Sequence, residues 1–413
     1  MQIIYNLFIS LTEFLLPVAG IFSHKMKLFV KGRKEVFPRL KSEIQAGEKY
    51  IWIHAASLGE FEQAVPVIEL LKERYPNHRI LVTFFSPSGY ENKKKHQLAD
   101  VITYLPLDTP SNARRFLELV NPELIFFVKY DIWPNFLKEI KHRGIRSFLI
   151  SGAFRKDQVY FKSYGSWIKK VLQSFEHIFV QNRESQELLE KNGFSNVSLS
   201  GDTRFDRVSR QLTYDNKLEV VETFIGNKLC IVAGSTWPED EELLLDYINS
   251  APSNVKFILA PHEIKAEKIN DFRKKIKVSS VLYSETSSRD PKDFQLLIID
   301  NIGLLSRIYS YADIAYVGGA AGKTGLHNIL EPATFGIPIV IGKNFEKFPE
   351  AKKLQQLAGL YSVASAEELK EILQKLVTNK NFRTQSGMIA GHYINSNTGA
   401  TRVISEYLFK NSI

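Results

Sequence analysis

The sequence predicts two α/β domains, each a parallel sheet flanked by helices, and three observations carry that prediction. Short apolar runs alternate with helix-length amphipathic stretches between residues 50 and 200, and the same alternation returns between residues 228 and 342. The length, 413 residues, has room for two domains of ~100–200 residues each. Parallel neighbours need a helix-sized return, so this alternation favours parallel sheets over hairpins.

In the first half the strand candidates are Tyr50–His54, Arg79–Phe85, Val101–Leu105, Glu123–Val128, Arg146–Ser151 and His177–Gln181. Helical stretches such as Glu60–Tyr75 and Trp133–Arg143 lie between them. The second half offers Leu229–Ala233, Val255–Ala260, Gln295–Ile299, Asp313–Val317 and Ile337–Ile341. A polar stretch with little apolar periodicity, near Gly201–Glu219, marks the join. No internal repeat or low-complexity segment interrupts the chain.

Residues 1–22 form a separate apolar segment. No basic residue precedes it and no small-residue cleavage site follows, which argues against a secretory signal. Asn6, Ser10 and Glu13 recur on one helical face, while Ile4, Leu7, Leu11, Leu15 and Val18 form the other. Lys25, Lys27, Lys31, Arg33 and Lys34 follow as a basic collar. The pattern fits an interfacial anchor, a short single span, or a helix packed on its own domain.

Composition narrows the function classes. Lys and Arg number 54 against 45 Asp and Glu, a net charge of +9 that suits an anionic membrane or a polyanionic substrate. No Arg-rich tract or zinc-finger spacing accompanies the charge, so nucleic acid is not expected as a partner. The single cysteine, Cys230, sits in the apolar run Leu229–Val232, which excludes an internal disulfide and a multi-cysteine metal site.

In doubly wound sheets ligands sit beyond the carboxyl ends of the strands, so the loops there carry the functional argument. After the first strand candidate comes His54-Ala55-Ala56-Ser57-Leu58-Gly59-Glu60. Glu60 opens the next helix, where a carboxylate either favours the helix dipole or serves as a general base. After Val317 runs a glycine-rich segment, Gly318 to Gly325, then Leu326-His327-Asn328-Ile329-Leu330-Glu331-Pro332. Its Gly322-Lys323-Thr324 is not a P-loop, because Val317 stands where that motif needs its first glycine. A helix starting near Leu326 could hold a phosphate on its amides, with Glu331 accepting from ribose hydroxyls. Ser235 and Thr236 after the Leu229 strand, and Pro261 and His262 after the Val255 strand, occupy the same edge. No Gly-x-Gly-x-x-Gly follows the first strand of either half, which argues against a dinucleotide-dependent dehydrogenase.

Taken in order, His54–Glu60, Ile132-Trp133-Pro134-Asn135, Gly201-Asp202-Thr203-Arg204-Phe205-Asp206, Gly234-Ser235-Thr236 and Gly325–Pro332 resemble the 3-deoxy-D-manno-octulosonic acid (Kdo) transferases. The resemblance implies a GT-B glycosyltransferase with two Rossmann-like domains facing a cleft. Residues 1–22 would associate with the membrane and 23–208 would bind the acceptor. Residues 209–390 would bind the nucleotide sugar, and 391–413 would form a helix crossing back. It implies inverting transfer of Kdo from CMP-Kdo to a lipid A precursor, a tetraacyldisaccharide bisphosphate, at the cytoplasmic face of the inner membrane. Neither metal nor cofactor is expected. Carried over by position, Glu60 would be the base, and Arg204 would stand where relatives place a transition-state lysine. Pro261, His262, Ile302, Gly303, Leu304, Asn328, Ile329, Leu330 and Glu331 would contact CMP, with Ser235 and Thr236 beside them. The chain departs from the family at Lys129-Tyr130-Asp131, where many relatives carry Glu-x-Glu; the second transition-state role then falls on Lys129, with its charge reversed. The alternatives are a UDP-sugar transferase or UDP-sugar 2-epimerase of the same fold, and a basic membrane-peripheral module without catalysis.

Overall fold

The computed structural model describes residues 1–162 and 165–410. Two compact units divide the chain, one of Met1–Arg207 with Thr398–Ile413 and one of Val208–Asn397. Each holds a seven-stranded sheet whose paired strands all run parallel.

In the first unit the strands are β1 (Lys49–Ala55), β2 (His78–Phe84), β3 (Val101–Tyr104), β4 (Pro122–Val128), β5 (Arg146–Gly152), β6 (His177–Val180) and β7 (Val197–Leu199), ordered β3-β2-β1-β4-β5-β6-β7. The second has β8 (Leu229–Thr236), β9 (Val255–Pro261), β10 (Ser280–Leu282), β11 (Leu296–Ile298), β12 (Ile314–Val317), β13 (Ile339–Gly342) and β14 (Leu360–Val363), ordered β10-β11-β9-β8-β12-β13-β14. Both orders reverse at a central strand, β1 and β8, as doubly wound sheets do.

Burial on both faces explains why the central strands are nearly continuous apolar runs. Along β1, Tyr50 and Trp52 face one core with Phe116, Phe127 and Phe136, while Ile51 and Ile53 face the other with Phe61, Ile68 and Phe148. The eleven strands expected from sequence are present. Three more, β7, β10 and β14, were not expected. Each is a sheet edge of three or four residues with polar side chains mixed in.

One expected helix starts elsewhere. No helix begins at Leu326; a five-residue helix, Leu330–Thr334, comes only later. Gly325 adopts φ +99°, and the amides of Gly325 and His327 bond back to the carbonyls of Gly319 and Gly318. Those bonds fold the segment against the end of β12 instead of letting it wind.

The N-terminal helix, Gln2–Phe22, packs on its own unit through a half-buried side that carries Tyr5, Asn6, Ile9 and Leu16, while Ser10 stays exposed. The Tyr5 hydroxyl donates to Asp108 at 2.7 Å, Asn135 Nδ2 to Asn6 Oδ1 at 2.9 Å, and Asn112 Nδ2 to Glu13 at 2.8 Å. Asp108 is fully buried and also accepts the amides of Asn135 and Phe136, both at 3.0 Å. Burial pushes its carboxyl up to about 7. The apolar face is left in solvent: Ile3, Phe14 and Ile21 are each more than 75% exposed, and Ile4, Leu7, Phe8, Leu11, Leu15 and Val18 are exposed beside them. Among the described residues no helix is long and apolar enough to cross a membrane.

The basic collar is not uniform either. Lys27, Lys31 and Lys34 are exposed. Arg33 turns inward, donating to the Phe85 carbonyl at 2.9 Å with its guanidinium 3.4 Å from the Phe29 ring centre. The side chain of Lys25 lies outside the described residues.

Candidate active site

The carboxyl ends of β1 and β4, with the loop after β7, hold the catalytic candidates of the first unit. Ser57, in extended backbone, precedes the helix Leu58–Arg74 and places Glu60 in its first turn. The Ser57 hydroxyl donates to Glu60 Oε2, and Lys129 Nζ stands 3.4 Å from Oε1. The Glu60 side chain is 15% exposed, so an adjacent cation offsets part of the cost of its burial. Lys129 follows the end of β4 at φ +71°, a left-handed conformation that costs a side-chain-bearing residue about 1 kcal/mol. Its amide bonds to the Ile150 carbonyl at 2.8 Å, which fixes that turn.

Arg204 reaches the same helix through Asp202. Its Nε and Nη2 donate to Asp202 Oδ2 at 2.9 and 2.8 Å, and its amide to Oδ1 at 2.9 Å. Gln63, one turn beyond Glu60, donates to Asp202 Oδ1 at 3.3 Å, and its carbonyl accepts the Thr203 hydroxyl at 2.6 Å. The Gly201–Asp206 motif is therefore tied to the helix that carries Glu60. Asp206 closes the motif on the other side: it accepts the amides of Gly399 and Thr401, each at 2.6 Å, at the start of the helix Ala400–Phe409.

His54 and Trp133 converge on a second carboxylate, Asp131. His54 is fully buried; its Nε2 lies 2.5 Å from Asp131 Oδ2 and its Nδ1 2.8 Å from the Thr83 hydroxyl. Trp133 Nε1 donates to the same Asp131 oxygen at 2.9 Å. Asp131, two residues beyond Lys129, is thereby a second oriented carboxylate.

In the second unit the donor candidates follow β8, β9, β11 and β12, four strands adjacent in the sheet. Glu331 joins two of the segments: Ser306 Oγ donates to its Oε2 at 2.9 Å, next to Ile302-Gly303-Leu304, and Asn328 Nδ2 to its Oε1 at 3.1 Å. Asn328 Oδ1 accepts the Leu330 amide, and Ile329 and Leu330 are buried beneath. Ile302 is 90% exposed beside Gly303 at φ +95°. The His262 amide bonds to the Thr236 carbonyl at 2.9 Å, which brings Pro261 and His262 against Ser235 and Thr236.

Buried Asp240 organises the glycine-rich segment. Its carboxylate accepts the amides of Trp237 at 2.9 Å, Gly319 at 2.7 Å and Ala321 at 3.3 Å, and the Tyr316 hydroxyl at 2.8 Å. Two loop amides are thus bound to an internal carboxylate, so the early glycines shape the loop. At Gly318 the reason is steric: a Cβ there would stand 2.3 Å from the Ser235 carbonyl oxygen. Sequence reading gave Asp240 no part, although its place three residues after Trp237 fits a capping position. Among the described residues no group of three His, Cys, Asp or Glu side chains could hold a metal ion.

Two parallel-sheet Rossmann-like units, with polar loops at the strand ends, give the chain the GT-B fold. The solved UDP-GlcNAc 2-epimerase from Neisseria meningitidis shares that fold at 17% identity, covering 88% of this chain and 100% of that one, with a TM-score of 0.61. Acinetobacter baumannii MurG shares it at 12% identity over 88% and 99%, with a TM-score of 0.54. The chain belongs to the 3-deoxy-D-manno-octulosonic acid transferase family, whose sequence profile (kdotransferase) matches residues 31–207. It is 30% identical to the Aquifex aeolicus transferase over 84% of this chain and 91% of that protein, and 29% identical to the Haemophilus influenzae one over 87% and 86%. A bifunctional glycosyltransferase/methyltransferase from Fusobacterium nucleatum is 28% identical over 86% of this chain, which spans 56% of that protein.

Proposed function

We propose that this chain transfers Kdo from CMP-Kdo to a hydroxyl of a lipid A precursor in lipopolysaccharide synthesis, with inversion at the anomeric carbon. The orientation of Glu60 carries the mechanistic part of this reading: both carboxylate oxygens are engaged, so the group is held in one position. Glu60 takes the proton of the acceptor hydroxyl while the oxygen attacks the anomeric carbon, and CMP departs from the opposite face. A positioned base typically contributes ~10²–10⁴-fold. Arg204 supplies positive charge as the leaving phosphate gains negative charge. Lys129 holds Glu60 in place. In the second unit Glu331 and Asn328 serve the ribose side of CMP, and His262 stands at the neighbouring strand end. Incubation with CMP-Kdo and tetraacylated lipid A precursor, followed by mass spectrometry of the lipid, tests the assignment; CMP binding in preference to UDP tests the nucleotide.

The N-terminal helix supports association with an anionic membrane surface. Tyr5, Asn6 and Glu13 bond to its own unit, leaving a row of exposed apolar residues beside Lys27, Lys31 and Lys34. Such a face suits insertion at the interface, and each nearby Lys adds about 1 kcal/mol of attraction to anionic lipid.

A further inference from the structure

Three aromatic rings meet at adjacent strand ends of the second unit. Trp237 follows β8, His262 follows β9 and His327 lies on the segment after β12. The His262 ring lies against both of the others, 4.6 Å from the Trp237 centroid and 4.4 Å from that of His327. The ring planes of Trp237 and His327 are nearly parallel, 15° apart, with Trp237 Nε1 at 3.0 Å from His327 Nε2.

This contact has one chemical solution. Indole nitrogen only donates, so His327 Nε2 must accept. An imidazolium accepts at neither nitrogen, so His327 is neutral and carries its proton on Nδ1. Burial, with His262 adding to it, pushes His327 down to about 4, in agreement. Among the described residues Nδ1 has no hydrogen-bond partner, while the ring is only partly buried. Both elements are fixed from behind by Asp240, which accepts the Trp237 amide and the amides of Gly319 and Ala321 in the segment leading to His327.

We propose that Trp237 is a positioning residue that locks His327 as the neutral Nδ1–H tautomer, and that this N–H donates to an anionic oxygen of the bound donor. The inference rests on the Kdo-transfer reading, and it adds a neutral donor to the phosphate and carboxylate recognition that the reading requires.

The test uses the full chain labelled with ¹⁵N-histidine. The His327 resonances are assigned by their loss in His327→Ala. The wild type should show a protonated Nδ1 and an unprotonated Nε2 at His327. In Trp237→Phe, which keeps an aromatic ring against His262 but has no N–H, that single tautomer should be lost. Donor binding should weaken ~10-fold in both Trp237→Phe and His327→Ala, the size of one hydrogen bond to a charged group. His327→Asn, whose amide N–H substitutes for Nδ1–H, should recover most of it, whereas His327→Gln should not. Weaker binding of CMP itself assigns the contact to the phosphate; a raised KM for CMP-Kdo with CMP binding unchanged assigns it to the sugar carboxylate. A wild-type His327 protonated at Nε2, or a His327→Ala variant equal to wild type with both ligands, overturns the proposal. Failure of the wild type to bind CMP and transfer Kdo would instead overturn the functional reading and this contact with it.

Discussion

The Lys129 ammonium stands 3.4 Å from one oxygen of Glu60 while the Ser57 hydroxyl engages the other, so this chain places a cation against its candidate base. Lys129 stands where the family resemblance leads one to expect a glutamate. A glutamate there is shorter than lysine but would still set a second negative charge near Glu60, and like charges a few ångströms apart at a partly exposed site repel by about 1 kcal/mol or more. Lys129→Glu should therefore lower kcat/KM by about 10- to 100-fold, and Lys129→Met by less. Steady-state transfer assays decide it; a Lys129→Glu enzyme as active as wild type would show that the pair plays no part.

Asp108 gives the first unit a pH-dependent anchor for its N-terminal helix. Its carboxyl rises to about 7 in the folded chain, from an unfolded value near ~3.9. The folded state then binds more protons between those values, so this group's contribution is full below about pH 4 and is lost as pH rises through 7. Asp108→Asn cannot titrate. The melting-temperature advantage of wild type over Asp108→Asn should shrink between pH 5 and pH 8, and a constant difference would contradict the assignment.

Membrane association should depend on the exposed face of the helix Gln2–Phe22. Removing residues 1–34 would confuse the result, because Arg33 packs against Phe29 and Phe85. Leu7→Glu with Phe14→Glu changes only exposed positions and should leave the melting temperature within about 2 °C, as surface substitutions do. Co-sedimentation with anionic vesicles should fall several-fold. Undiminished binding would remove this face from the interaction.

Glu331 links Ser306 and Asn328 in the second unit. Glu331→Ala should weaken CMP binding ~10-fold or more, as loss of a charged hydrogen-bond acceptor does. Calorimetric titration showing the wild-type affinity would exclude Glu331 from the nucleotide site.

How much of this was legible in the sequence follows from physical range. Strands buried on both faces announce themselves, as Ile51-Trp52-Ile53 and Leu124–Val128 do. The edge strands Val197–Leu199, Ser280–Leu282 and Leu360–Val363 do not, because one neighbour and partial burial leave no apolar signature. The helix expected at Leu326 was displaced by the left-handed Gly325, a conformation that composition does not specify. Periodicity separated the two faces of the N-terminal helix. Which face meets protein was decided by distant partners, Asp108, Asn112 and Asn135. The loops expected to matter were nameable one by one. Their pairings were not: Lys129 with Glu60 spans 69 residues, and Trp237 with His327 spans 90.

The central claim is tested most directly by comparing wild type and Glu60→Gln for Kdo transfer to tetraacylated lipid A precursor, read by mass spectrometry under saturating CMP-Kdo. Glutamine keeps the shape of the side chain but cannot take up the hydroxyl proton. The wild type should yield the Kdo-bearing lipid, and Glu60→Gln should transfer ~10²–10⁴-fold more slowly with CMP affinity little changed. Near-normal transfer by Glu60→Gln would contradict the account and point to Asp131, the other oriented carboxylate of the first unit, as the base.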